Sequence, residues 1–254
     1  STFLLQPFFP SADYFFSFNS PSWSLGCEQL FYFCFPLIVP FLHTKRSLFI
    51  TLLICLPIML AGMYLTNEEQ IKAYWYVNPF TRLPDFFVGV LLYQFYRSLC
   101  NKKLSYSTGT LLEAGAVALF LLFFLCAADI PKVYRYSCYY WLPVSLIILI
   151  FALQQGGISR LLSNRFLIIG GEISYSFYLI HLFIIDAYMR MSAHYHWQIQ
   201  WTISVPVILC ITIILSLLSF YYFEKPANKW VKRIFTKKTI INQPHGIINK
   251  NTTN

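Results

Sequence analysis

The sequence predicts an all-α fold: a polytopic membrane bundle of about seven transmembrane helices. Three observations carry that prediction. Hydrophobic residues make up 57% of the 254-residue chain and charged residues only 11%, against about 25% charged in a soluble domain. Mean hydropathy is +0.56, so the chain lacks the polar surface to cover itself in water. The apolar residues also fall in long runs without two-residue alternation, and about 20 of them in helical form cross a hydrocarbon core. Backbone groups in lipid must find partners within their own element, so runs of that length are helices rather than barrel strands.

The expected spans are residues 24–42, 47–65, 80–96, 108–128, 139–153, 167–189 and 199–223. The first starts behind Pro21-Ser22 with Trp23 and Ser24. A Trp suits the headgroup level, and a Ser can cap free N–H groups. The third opens with Arg82 and Asp85 and contains Gly89, which permits close helix approach. The third and fifth are short for a span. The sixth carries His181 at its centre, and the seventh ends at Glu224-Lys225-Pro226, a charged helix terminus that Pro226 is expected to stop. Past Phe235 the chain turns polar. Residues 1–235 are therefore expected to form one membrane domain, and 236–254 a disordered tail.

Orientation follows from the basic residues. With the C-terminus in the cytoplasm, fourteen of the nineteen Lys and Arg fall on the inner side and five on the outer, as the positive-inside rule requires. The net charge of +9 belongs to membrane topology on this reading, and no nucleic acid is expected as a partner. The first 20 residues hold no Lys or Arg and lie outside. An odd number of spans with an outside start, in a sequence that begins at Ser1, implies a preceding part. The seven cysteines form no CxxC pair and read as buried free thiols, with no metal site.

Ionisable groups inside apolar spans are costly and usually have a task. Ser24, Glu28 and Tyr32 recur at i, i+4, i+8, so they share one helix face. Glu28 is either a first-turn carboxylate favoured by the helix dipole or a group that orients a catalytic partner. Arg82 and Asp85, at i and i+3, form an interfacial salt bridge, or else Arg82 anchors Glu28 or an anionic group. Ser174, Tyr178 and His181, at i, i+4, i+7, make a polar stripe on an apolar helix, and a mid-membrane His is a candidate catalytic group. Asp186 and Arg190 are expected to pair. His194 and His196 have HxH spacing, a weak metal signal, while His43 and His245 read as solvated.

Trp23-Ser24-Leu25-x-x-Glu28-x-x-Phe31-Tyr32 resembles the WSLxxExxFY signature of the acyltransferase-3 family, integral-membrane enzymes that O-acetylate bacterial surface glycans. Three further blocks agree in order and spacing. Arg82-Leu83-Pro84-Asp85-Phe86-Phe87-Val88-Gly89 resembles the family's RLPEFLLG helix, Gly171-Glu172-Ile173-Ser174-Tyr175-Ser176-Phe177-Tyr178-Leu179-Ile180-His181 its GxISYSLYLxH helix, and Phe223-Glu224-Lys225-Pro226 its terminal FEKP. The resemblance covers the C-terminal two thirds of such a protein. The family's first helix, with its Arg and His, and the RxxR motif after it have no counterpart here. Gln29 stands where the family has a second acid, which argues against a role for two adjacent carboxylates. Asp85 replaces a Glu and keeps the charge on a shorter arm.

The resemblance implies transfer of an acyl group, most often acetyl from acetyl-CoA as donor co-substrate with no bound cofactor, to a hydroxyl of a glycan such as lipopolysaccharide O-antigen. The setting would be the bacterial cytoplasmic (inner) membrane. It also implies catalytic roles for Glu28 and His181, converging on one chamber, with Trp23, Ser24, Tyr32, Arg82, Ser174 and Tyr178 lining the substrate site. The alternatives are a transporter or flippase of a lipid-linked substrate, or an inactive truncated remnant. The absence of repeated halves weighs against a transporter.

Overall fold

The computed structural model describes residues 4–9, 11, 16, 19–38, 40–41, 44–196 and 200–241, with side chains as far as Phe235. His43, His245 and the tail beyond 241 lie outside these residues. The chain divides into two compact units, Ser1–Ile168 and Ile169–Asn254. No strand occurs among the described residues.

Helices stand on all seven expected spans: α1 Trp23–Ile38, α2 Lys45–Tyr64, α3 Pro79–Leu99, α4 Tyr106–Cys126, α5 Trp141–Leu153, α7 Arg165–Tyr195 and α8 Trp201–Ser219. Three more were not expected: the short α6 Gly157–Leu162, the basic α9 Lys225–Ile241 and a single helical turn, Lys132–Arg135. Among the described residues four segments are long and apolar enough to cross a membrane: Lys45–Tyr64, Tyr106–Asp129, Arg165–Tyr195 and Trp201–Phe235. The other three fall short for physical reasons. α1 has 16 residues and α5 has 13, below the ~20 of a full crossing, and α3 carries Arg82, Asp85 and Arg97.

Side-chain oxygens start four of the helices. Thr44 accepts from the Ser47 N–H at 3.1 Å, Asn78 from Phe80 at 2.9 Å, Ser105 from Thr108 at 3.2 Å and Asn164 from Phe166 at 3.1 Å, each satisfying an N–H that the helix leaves open. The serines before α1 behave otherwise. The Ser22 hydroxyl donates to the Asn19 carbonyl (2.6 Å) and accepts from Gln6 Nε2 (2.9 Å), while Ser24 donates to the Pro21 carbonyl at 3.1 Å. They tie α1 to the preceding 3-10 turn Ser20–Ser22 instead of capping it. Pro226 does not stop the last helix either. It lies two residues past the π-helical turn Phe220–Glu224 that joins α8 to α9 without a break, and the helix runs past 235 to Ile241.

Within the first unit α3 is the hub, packing on α1, α2 and α5, while α4 packs on α5 and α6. Leu48 of α2 and Phe87 of α3 are buried together. Phe86 stacks on Phe31 at 5.3 Å and meets the edge of Phe35 at 5.8 Å. A second cluster joins Met59, Met63, Ile71, Trp75 and Val133. Long apolar side chains such as Leu53, Leu111, Leu125 and Val207 face outward, as they do when lipid rather than water is the solvent. This also corrects the expectation for the cysteines. All seven are free, but Cys27 alone is buried, and Cys100, Cys126 and Cys210 are exposed.

The connection between α5 and α6 is held by α4. Glu113, 1% exposed, accepts from the N–H groups of Gly156 (2.9 Å), Ile158 (2.8 Å) and Ser159 (3.1 Å), and Thr110 Oγ1 accepts from Gly157 N–H at 2.9 Å. Every N–H at the start of α6 is thereby satisfied from a neighbouring helix. Gln155 adds a clamp, accepting from Leu104 N–H (2.7 Å) and donating to the Lys102 carbonyl (2.8 Å). A Cβ on Gly156 would lie 2.3 Å from the Glu113 carboxylate. Gly156→Ala is therefore expected to expel the carboxylate and cost about 1–3 kcal/mol, read as a lower thermal unfolding midpoint in detergent.

Candidate active site

The residues singled out near the starts of α1 and α3 come together. Trp23, Ser24, Cys27, Glu28, Phe31, Arg82 and Asp85 line one open cavity of about 320 Å³. α1 contributes the first five because Trp23, Cys27 and Phe31 (i, i+4, i+8), with Ser24 and Glu28 beside them, cover one helix face. α3 contributes the charged pair from its first two turns. Tyr32 is not among the lining residues and stands 70% exposed. One residue on from Phe31, it has turned off the face that α1 presents to the cavity.

Arg82 is held by three contacts. Its Nη1 pairs with Asp85 Oδ2 at 3.0 Å, its Nε donates to the Tyr76 carbonyl at 2.9 Å, and its guanidinium lies 5.5 Å from the Tyr76 ring centroid. The second Asp85 oxygen accepts from Trp141 Nε1 at 2.5 Å. The guanidinium is thus fixed by an acid of its own helix, the π-helical segment Lys72–Val77 before it, and, through Asp85, the first residue of α5. The salt-bridge reading of Arg82 and Asp85 is the one realised. Glu28 is exposed and enters no hydrogen bond or ion pair among the described residues, so its carboxylate faces the cavity unspent. Cys27 is buried and donates to the Val77 carbonyl at 3.4 Å, a packing role.

Asp85→Asn removes the counterion and leaves a single acceptor for two donors. It is expected to cost about 1–3 kcal/mol, measured by thermal unfolding in detergent. An unchanged midpoint would show that Asp85 does not hold Arg82.

In the second unit the predicted stripe lies along α7. The Ser174 hydroxyl donates to the Gly171 carbonyl at 2.8 Å. His181 Nδ1 lies 2.7 Å from the Tyr178 carbonyl. A carbonyl oxygen only accepts, so Nδ1 carries the proton, and in the neutral ring Nε2 is left as the acceptor. The ring sits near-parallel to Phe177, 6.1 Å between centroids, and 6.0 Å from Tyr178. Asp186 and Arg190 pair at 2.9 Å, as expected, on the exposed surface.

Sequence reasoning missed the residue of α7 that is most tightly held. Ser176 is buried and its hydroxyl donates to Glu224, so two of the four quoted sequence blocks meet through their side chains. Glu224 is therefore more than the charged terminus it was read as. It missed Trp141, Tyr76 and Glu113 as well. A buried Glu in an apolar run was the available signal for Glu113, but no local pattern marks the other two. Among the described residues no group of three His, Cys, Asp or Glu is placed to hold a metal ion.

A family model described as an acyltransferase domain matches residues 1–221. The chain belongs to the acyltransferase-3 family. Among its relatives is the O-acetyltransferase OatA of Staphylococcus aureus, 28% identical over 221 residues, which are 82% of this chain and 36% of OatA. The acyltransferase MdmB of Streptomyces mycarofaciens is 24% identical over 215 residues, 78% of this chain and 54% of MdmB. YrhL of Bacillus subtilis, whose name proposes peptidoglycan O-acetylation, is 26% identical over 255 residues, 92% of this chain and 39% of YrhL. The chain thus spans little more than a third of the length of OatA and YrhL. No solved structure gives a significant match. Membership of the acyltransferase-3 family accounts for the four blocks, and residues of each lie in structural contacts: Arg82 with Asp85, Ser176 with Glu224, and Trp23 and Glu28 in the cavity wall.

Proposed function

We propose that this chain takes part in O-acetylation of a cell-surface glycan, with acetyl-CoA as donor. The observation that carries the reading is the cavity. It joins an unspent carboxylate, Glu28, to a rigidly held guanidinium, Arg82, between the starts of α1 and α3. The reaction forms a C–O bond between the sugar hydroxyl and the thioester carbonyl carbon and breaks the C–S bond. The hydroxyl proton passes to a base and then to the departing CoA thiolate. A sugar hydroxyl is a poor nucleophile near neutral pH and needs that base within hydrogen-bond reach, and the carbonyl oxygen needs donors as it gains charge.

In this proposal Glu28 orients and charges the base. Trp23, Ser24 and Arg82 position substrate, with Tyr32 one turn along. In the second unit His181 offers Nε2 as an acceptor, with Ser174 and Tyr178 on the same helix. The protein is integral to the membrane. The distribution of Lys and Arg supports placement in the bacterial cytoplasmic membrane with the C-terminus inside.

Two acceptor classes stand against each other, lipopolysaccharide and peptidoglycan. The name of YrhL favours peptidoglycan. The test is to quantify base-labile O-acetyl esters separately in both envelope fractions, with and without the gene. Loss from one fraction identifies the acceptor. Unchanged esters in both, together with no CoA release from acetyl-CoA by the purified complete protein, would end the acetyl-transfer reading.

A further inference from the structure

A second cavity opens at the same end of the first unit, away from the residues of the candidate active site. It has a volume of about 470 Å³ and lies between the α2–α3 connection and the α4–α5 connection. Glu68 and Asp129 supply carboxylates to its wall, Lys132 and Arg135 supply cations, and Ile71 and Val133 form apolar surface. Among the described residues the ion pairs are Arg82 with Asp85 and Asp186 with Arg190, so none of these four charges is neutralised by another. Arg135 Nε is moreover buried with no acceptor in reach. A buried N–H without a partner is destabilising, and a ligand oxygen at that point would satisfy it.

We infer that this cavity is an acceptor subsite holding a sugar residue of the glycan, a deepening that rests on the function proposed above. The donor–acceptor balance selects the ligand class. Two carboxylates accept and two cations donate, matching sugar hydroxyls, each of which does both. Ile71 and Val133 suit the C–H face of a pyranose. A CoA phosphate would require an excess of positive charge, which the wall lacks. The size falls in the range of small-ligand sites, roughly 300–1,000 Å³. Position agrees as well. The ring of Tyr76 lies 4.8 Å from that of Trp23 and 5.1 Å from that of Tyr136, and Tyr136 follows Arg135 directly. One aromatic layer therefore links this cavity to the candidate active site, so a glycan chain seated here has a neighbouring residue close to the reacting centre.

The test uses the complete protein in detergent. The acceptors are alkali-de-esterified oligosaccharides from whichever envelope fraction loses its esters on gene deletion, freed by muramidase from peptidoglycan or by mild acid from lipopolysaccharide. Arg135→Ala is expected to raise the acceptor KM at least ten-fold and to leave the acetyl-CoA KM unmoved. Asp129→Asn and Lys132→Met, at exposed positions, guard against a folding defect in the first variant and are expected to move the same constant in the same direction. An acceptor KM equal to wild type in all three overturns the subsite while acetyl transfer stands. Loss of turnover in all three overturns it too, since a docking role leaves kcat measurable. If neither fraction loses esters, the transfer reading itself fails and the subsite falls with it.

Discussion

Glu113→Ala is expected to lower stability by about 3–5 kcal/mol, the cost of removing one partner from a buried charged network. The argument is one of position. Glu113 is the eighth residue of α4, about 10 Å along the helix at 1.5 Å per residue, with no water to take over its work. Its carboxylate accepts three backbone N–H groups, and hydrogen bonds to a charged acceptor are worth about 1.5–3 kcal/mol each before compensation. Truncation leaves those three donors bare at the start of α6 and opens a gap against Gly156. Glu113→Gln keeps one acceptor oxygen but turns an amide NH₂ toward the same donors, so it is expected to restore less than half of the loss. Thermal unfolding in detergent, followed by circular dichroism, reads both variants. A shift of roughly 10 °C matches this cost, and a midpoint within a degree or two of wild type for Glu113→Ala would refute the account.

The second large effect is on activity. Glu28→Gln in the complete protein is expected to reduce glycan acetylation by about 10²–10⁴-fold, the range lost when acid–base assistance fails. Glutamine has nearly the same shape, so the change removes charge and little else. Glu28 is exposed and joins no ion pair, whereas Arg82 is bound to Asp85. The substitution should therefore leave the unfolding midpoint at its wild-type value, in contrast to Glu113→Gln. Two carboxylates of one apolar bundle thus differ in kind: Glu113 is buried and spent on the backbone, while Glu28 is exposed and available to substrate. Wild-type acetylation by Glu28→Gln would remove Glu28 from the mechanism.

Much of this was legible in the residues. The apolar runs placed seven helices, since hydropathy is a property of composition and length. The i, i+4 spacing of Ser24 and Glu28 put both on one face, and the structure turns that face to the cavity. The i, i+3 spacing of Arg82 and Asp85 made their pairing a local matter. What spacing could not read is which groups meet across the chain. Trp141 reaches Asp85 over 56 residues, Gly156 reaches Glu113 over 43, and Ser176 reaches Glu224 over 48. Tyr32 fits the i, i+4, i+8 spacing yet lies off the cavity, because α1 turns Phe31, not its neighbour, toward α3.

The sequence by itself determined the solvent, the helical class and the local pairs, because each depends on composition or on neighbours within two helical turns. The tertiary structure alone decided which polar groups are consumed in holding the bundle and which remain open to a ligand. In a membrane interior no water satisfies a stray donor or acceptor, so every buried polar group must find its partner in three dimensions, and a residue's availability for chemistry is what remains after that pairing.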